Sequence, residues 1–247
     1  MEKKSQFNKK FKTLKSKKMS TTTILNQLTQ TPETQANMTP EMVIQMLIDG
    51  NARFIQGNPL NRDLHAQVKE TATGQYPFAA IISCIDSRIP TEVVFDQGIG
   101  DIFNARVAGN FVNEDILGSL EFACKLAGSK VIVVMGHTSC GAVKGACDHA
   151  KLGNLTQMLE KIAPAVDAIQ TAPEVDRSSK NLDFVNQVSE KNVELTIENI
   201  KSKSPVLNEM IQANEIEIVG AMYDVKTGLV TIYPNELLRV RLILFNI

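Results

Sequence analysis

The stretch "KVIVVMGHTSCGAVKGA", residues 130–146, decides the fold. Its apolar run, Val131–Met135, is rich in β-branched residues and shows no polar alternation. A strand buried on both faces of a parallel sheet needs such a run. The run ends in Gly136 and His137, passes through a turn of small residues, and enters a helical pattern at Gly141. Strand, turn and helix in direct succession predict an α/β fold.

Working outward, "PFAAIISC" (77–84) reads as a second buried strand and "DIFNARVAG" (101–109) as a shorter one. Between that strand and the opening one, "EDILGSLEFACKLAG" (114–128) reads as an amphipathic helix ending at Gly128. Upstream, Thr39 is placed to cap a helix that Pro40 begins, with Val43, Met46, Leu47 and Phe54 at helical spacing. A further helical piece falls at about 61–73. Residues 155–214 read as mostly helical, with breaks at "TAPE" (171–174) and "KSKSPV" (201–206). "EIEIVGAMYDVKTGLVTIYP" (215–234) reads as two strands joined by a "KTG" turn. The expected fold class is therefore α/β: a mostly parallel central β-sheet with an antiparallel edge strand, flanked by helices.

The chain has 247 residues, 43% hydrophobic and 21% charged, with a formal net charge of −1. That balance suits a globular protein and gives no reason to expect nucleic acid as a partner. No apolar run approaches the roughly 20 residues that span a bilayer, so no stable membrane insertion is expected. Residues 1–38 are polar, and the first eighteen are rich in lysine. They read as a flexible basic segment ahead of a single domain over 39–247. Phe7, Phe11 and Leu14 in that segment stand at helical spacing. The segment contains no secretory h-region. Four cysteines without a C-x-x-C pair suit a reducing compartment better than a disulfide framework, so a cytoplasmic location is expected. The apolar tail "LLRVRLILFNI" (237–247) reads as a surface for packing on a neighbouring subunit.

Three sheet-like runs end in polar residues: Cys84–Asp86–Arg88, Asn104–Arg106 and His137–Cys140. Ligands of open α/β sheets bind outside the carboxyl ends of the strands. Cys84 from one end, with His137 and Cys140 from another, makes a Cys₂His set for zinc that leaves a fourth position for water or substrate. The helix beginning near Gly141 would favour a Cys140 thiolate through its first amides. Spacing alone also fits an inert core thiol at Cys84 and a hydrogen-bonded turn histidine at His137. Asp86 lies two residues past Cys84 and so on the same side of an extended chain. It can reach the fourth position as a ligand or accept a hydrogen bond from a water there. Arg88 is the natural bidentate partner of that carboxylate, and the pair equally fits a plain strand-end ion pair.

"CIDSRIPTEVVFDQGIGDIFNARVAGN" (84–110) and "SKVIVVMGHTSCGAVKGA" (129–146) resemble the two signature blocks of the β-class carbonic anhydrases. "LIDGNARF" (47–54) is similar to that family's N-terminal helix, and the resemblance spans about residues 40–235. It implies reversible hydration of carbon dioxide to bicarbonate and a proton, with one zinc per subunit held by Cys84, His137 and Cys140. It implies Asp86 and Arg88 as the catalytic dyad, with Asp86 aiming the reacting water and Arg88 holding Asp86. Gln75, Phe103, Ala108 and Gly141 are implied as substrate-binding residues. Phe103 and Ala108 would shape an apolar pocket for carbon dioxide, and Gln75 would orient an oxygen.

Two positions depart from branches of the family. Phe122 stands where the plant-like branch has a pocket tyrosine. Ile81 stands where the bicarbonate-regulated branch has tryptophan, so no such switch is expected. The resemblance also implies a homo-oligomer, a dimer or a multiple of dimers, with its sites near the subunit interface. Rival readings are a carbonyl sulfide or carbon disulfide hydrolase on the same scaffold, and a non-catalytic zinc- or bicarbonate-binding relative. Cys124 and Cys147 read as packing residues, and His65 and His149 as surface residues.

Overall fold

The structure is a computed structural model and describes residues 29–233. The lysine-rich start and the apolar tail lie outside the described residues. Helix α1 (Pro32–Ala36) opens the fold, capped by Thr31 in a reciprocal box with Thr34. Gln30, Thr34, Gln35 and Met38 are buried. Gln35 Nε2 donates to the carbonyls of Pro77 and Ala127, both at 2.7 Å. The flexible segment expected up to residue 38 is thus corrected over residues 30–38. The cap and these two bonds tie that stretch to the core.

Helices α2 (Pro40–Ile55) and α3 (Leu64–Thr71) follow, and Thr39 caps α2 through the Met42 amide as its sequence predicts. Then come β1 (Ala79–Ser83), α4 (Thr91–Val94), β2 (Ile102–Arg106) and α5 (Glu114–Glu121). The helix predicted over 114–128 is not α-helical throughout. Phe122–Leu126 form a π-helical turn, with the Ala127 amide on the Phe122 carbonyl at 2.9 Å. Strand β3 (Val131–His137) leads through a turn into α6 (Gly141–Cys147). Helices α7 (Gly153–Glu160), α8 (Ala163–Ala168), α9 (Leu182–Lys203) and α10 (Pro205–Gln212) precede β4 (Glu217–Tyr223) and β5 (Val230–Tyr233).

The strand order is β2-β1-β3-β4-β5. The first three pairings are parallel, and β4–β5 is antiparallel. Every residue of β3 is buried, as its unbroken apolar run requires. Each large side chain removed from water there contributes about 1.5–3 kcal/mol. The sheet separates two hydrophobic layers. One holds Ala79, Ile81, Val131, Val133, Cys84 and Cys140. The other holds Ala80, Ile82, Ile132 and Val134, with Phe103 and Ala105 packed against it. No helix among the described residues is long and apolar enough to cross a membrane.

Candidate metal centre

The donors meet at the carboxyl edge of the sheet. Cys84 directly follows β1, His137 ends β3, and Cys140 stands where the turn enters α6. β1 and β3 are neighbours with Ser83 opposite Met135, which sets their ends side by side. The three ligand atoms lie within 4.8 Å of one another, and all three residues are buried.

The geometry suits a tetrahedral ion. Zinc–sulfur bonds of about 2.3 Å at a tetrahedral angle put two sulfurs about 3.8 Å apart. Cys84 Sγ and Cys140 Sγ are 4.0 Å apart. His137 Nδ1 lies 3.0 Å from the Thr138 carbonyl oxygen, which can only accept, so Nδ1 carries the proton. Nε2 is left with its lone pair, buried and without a hydrogen-bond partner. An orphaned acceptor in the interior is unfavourable, and a cation at this point satisfies it.

The sulfurs carry the same message. A hydrogen bond from Cys140 pulls the Cys84 thiol well below its usual range against the effect of burial, and the Gly109 and Asp86 amides help. Cys140 is pushed up, first by Cys84 and then by burial, although the Val143 and Ala142 amides of α6 favour its thiolate. Two adjacent buried thiolates repel each other, and a divalent cation between them removes that conflict. By contrast, burial pushes Cys124 up to about 12 and Cys147 up to about 11. Both pack in the hydrophobic layers, as inert thiols do. His65 and His149 are exposed.

Asp86 turns toward Arg88. Arg88 Nη2 donates to Oδ2 at 2.7 Å, Nε donates to Oδ1 at 2.9 Å, and the Arg88 amide donates to Oδ1 at 3.0 Å. These bonds hold the Asp86 carboxyl well below the usual carboxylate range. Asp86 Oδ2 is still only 3.8 Å from His137 Nε2, at the border of the cluster.

Several supports carry no motif of their own. Arg106 Nε donates to the Cys84 carbonyl at 3.0 Å, and its Nη2 donates to the Asp86 carbonyl at 2.6 Å. It fixes the backbone that bears both side chains. The Gly109 amide donates to Cys84 Sγ at 3.4 Å, from a residue at φ +83°. Tyr223 Oη donates to the Arg88 carbonyl at 3.3 Å. A polar Arg106 ending a strand beside "AGN" was the only sequence signal for any of them.

Not every expected residue arrives. Ala108 sits beside Gly109 at the cluster. Gly141 opens α6 but is exposed, and a Cβ there would meet nothing within 4 Å. Gln75 is exposed ahead of β1, at the opposite end of that strand from Cys84. Phe103 pairs with Ala80 and faces the other hydrophobic layer. There its ring meets Phe122 edge-on at 6.1 Å, lining a cavity of about 530 Å³ beside edge strand β2. The pocket expected around Phe103 and Ala108 is therefore not formed within one chain. Phe103 shares its layer with Ala80 and Ile82, whereas Cys84, just past the end of β1, packs in the other layer.

A family model described as carbonic anhydrase matches residues 79–230. The chain is 32% identical over 198 residues to carbonic anhydrase 2 of Mycobacterium tuberculosis, covering 78% of this chain and 92% of that protein. Carbonic anhydrase of Mycolicibacterium smegmatis matches with the same identity and coverage. The fold is similar to that of the β-carbonic anhydrase CafA of Aspergillus fumigatus, with a TM-score of 0.59 and 24% identity. That match covers 83% of this chain and 97% of the other. A tetrameric β-carbonic anhydrase of Sordaria macrospora matches with a TM-score of 0.57 and 24% identity, over 68% of this chain and 89% of that one. The chain belongs to the carbonic anhydrase family, in its β class.

Proposed function

We propose that the chain hydrates carbon dioxide reversibly to bicarbonate and a proton, using one zinc ion per subunit held by Cys84, His137 and Cys140. The observation that carries this reading is the pairing of two sulfurs at 4.0 Å with an orphaned His137 Nε2, while Asp86 is tied to Arg88. Three donors converge and the nearest carboxylate is held aside, which leaves a fourth position for chemistry. Zinc in such a set acidifies a bound water and supplies an oxygen nucleophile at accessible pH.

The residues of the chain do the rest. Asp86 is ionised and accepts a hydrogen bond from the O–H of the reacting water, which directs an oxygen lone pair toward carbon. Arg88 occupies the Asp86 oxygens and keeps them off the fourth position. Arg106 holds the Cys84–Asp86 backbone in register with that task.

We further propose a homo-oligomer in which another copy completes the pocket. Gln75 and Phe103 lie away from their own chain's cluster, so they can serve a site only in a neighbouring subunit. Phe122 is half exposed beside the β2 edge, as a surface awaiting a partner would be. Stopped-flow hydration by the wild type and Asp86→Ala, with zinc measured in both, tests the reading. The wild type should be active, and the variant should hold zinc but lose most of the rate. A fully zinc-loaded wild type without hydration, or one that prefers carbonyl sulfide, would overturn it.

A further inference from the structure

Helix α9 packs against β3 and β4 over a glycine in each strand. A Cβ on Gly136 would stand 2.8 Å from Val193 Cγ2, and one on Gly220 would stand 3.0 Å from Val193 Cγ1. Gly136 immediately precedes His137 in β3. Glycine at these points lets the helix approach the strand ends closely, so short side chains on α9 can reach the loops beyond them. Two asparagines use that reach. Asn186 Oδ1 accepts from the Ser139 amide at 2.9 Å, inside the turn that joins His137 to Cys140. Ser139 has φ +56°, an unfavourable conformation for a residue with a side chain, and this bond helps to hold it. Asn192 Nδ2 donates to the Gly109 carbonyl at 2.7 Å, and the Gly109 amide donates to Cys84 Sγ.

Asn192 is 3% exposed and stands among Val188, Val193 and Ile197 on the buried face of α9. An apolar residue would pack there without the desolvation that an amide brings. What the amide adds is a fixed Gly109 peptide. From these contacts we infer that Asn186 and Asn192 are positioning residues for the metal centre. One helix sets the Cys84 side of the cluster relative to the His137–Cys140 side. The two asparagines stand six positions apart, about 9 Å along the helix axis, so they brace two loops from one rigid rod. The inference rests on the metal reading above, and its test reads the metal rather than turnover.

The test uses the full-length protein stripped of metal and reloaded. Asn192→Leu, Asn192→Asp and Asn186→Leu are compared with the wild type and with Asn199→Ala, an exposed position on the same helix. Zinc affinity is measured by competition with a chelator. The thiolate-to-metal charge-transfer band is recorded after cobalt loading, and thermal midpoints are taken without metal. Each of the first three variants should bind zinc about ten-fold or more weakly, as loss of a supporting hydrogen bond to a ligand shell does. The two Asn192 variants should also shift the cobalt band, because the amide at Cys84 Sγ is no longer held. Asn199→Ala should match the wild type. Wild-type zinc affinity and cobalt band in Asn192→Asp and Asn186→Leu would overturn the inference, even if thermal midpoints fell. Should Asn192→Leu fail to fold, those two variants decide. A wild type that binds metal as expected yet does not hydrate carbon dioxide would count against the proposed function alone. A wild type that binds cobalt without thiolate bands would overturn both.

Discussion

Asp86 and Arg88 form a closed two-point pair, Oδ2 to Nη2 at 2.7 Å and Oδ1 to Nε at 2.9 Å, although the same carboxylate lies 3.8 Å from His137 Nε2. The guanidinium thus holds the carboxylate aside from the three-donor cluster. Arg88→Ala should free Asp86 to swing into the fourth position. Zinc should stay bound while the hydration rate falls by about 10²-fold or more, the usual scale for losing a positioned proton acceptor. X-ray absorption should find an added carboxylate oxygen around the metal. Arg88→Lys should recover only part of the rate, because an ammonium cannot hold both oxygens in a plane.

The hydration rate should climb from about pH 6 to about pH 9. The Arg88 hydrogen bonds keep the Asp86 pKa below the ordinary carboxylate range, so Asp86 is charged across that interval and adds no inflection. Two thiolates cancel the charge of a divalent ion, so water at this site is acidified less than at an all-imidazole site. A rate flat over the same interval would contradict this assignment.

Cys84→Ser, Cys140→Ser and His137→Ala should each lose zinc by elemental analysis, while Cys124→Ala and Cys147→Ala should keep it. Removing zinc from the wild type should lower its stability. The linkage is about 4 kcal/mol when free zinc stands a thousand-fold above its dissociation constant. Scanning calorimetry with and without chelator should register a drop of several degrees or more.

Asp101 gives a separate pH signature. Burial raises its carboxyl to about 6, although the Gly98 amide donates to Oδ2 at 2.7 Å. Its folded pKa lies above the unfolded value of about 3.9, so the folded state takes up a proton between these limits. This group's contribution is therefore full below about pH 4 and is lost as pH rises through about 6. Asp101→Asn keeps an acceptor for Gly98 and should remove that decline, worth about 2–3 kcal/mol. Denaturant titrations at pH 4 and 7 would register the difference.

Gly109→Ala should destabilise the fold by about 2 kcal/mol or more. The new Cβ would stand 2.3 Å from Ile162 Cδ1 in a residue at φ +83°. Adding Ile162→Val removes that methyl and should restore the part due to crowding, leaving the backbone part. Unfolding free energies of the single and double variants separate the two.

The donor set was legible in the sequence because two of its donors directly follow apolar runs that read as strands, with Cys140 three residues beyond the second. Cys84 ends "FAAIIS", and His137 ends "VIVVMG". The helix cap at Thr39 was legible for the same local reason, whereas the one at Thr31 fell in a stretch read as flexible. The supports were not. Asn192 meets Gly109 across 83 residues, and Asn186 meets Ser139 across 47, so no local pattern links them. Phe103 and Gln75 were placed at the pocket by resemblance. Phe103 packs in the layer of Ala80 and Ile82 while Cys84, past the end of β1, packs in the other, and the direction of β1 puts Gln75 at the far end. The π-helical turn at Phe122–Leu126 continues an amphipathic spacing that a regular helix would also satisfy.

The parallel pairing of β1 with β3 has a consequence for how the protein matures. His137 and Cys140 are neighbours in sequence, but Cys84 joins them only when Ala79–Ser83 pair in register with Val131–Met135. A slip of one residue would exchange the faces of β1 and carry Cys84 out of reach. A misregistered chain holds two donors and has no third to offer. Full loading with metal thus certifies, molecule by molecule, that the centre of the sheet was assembled correctly.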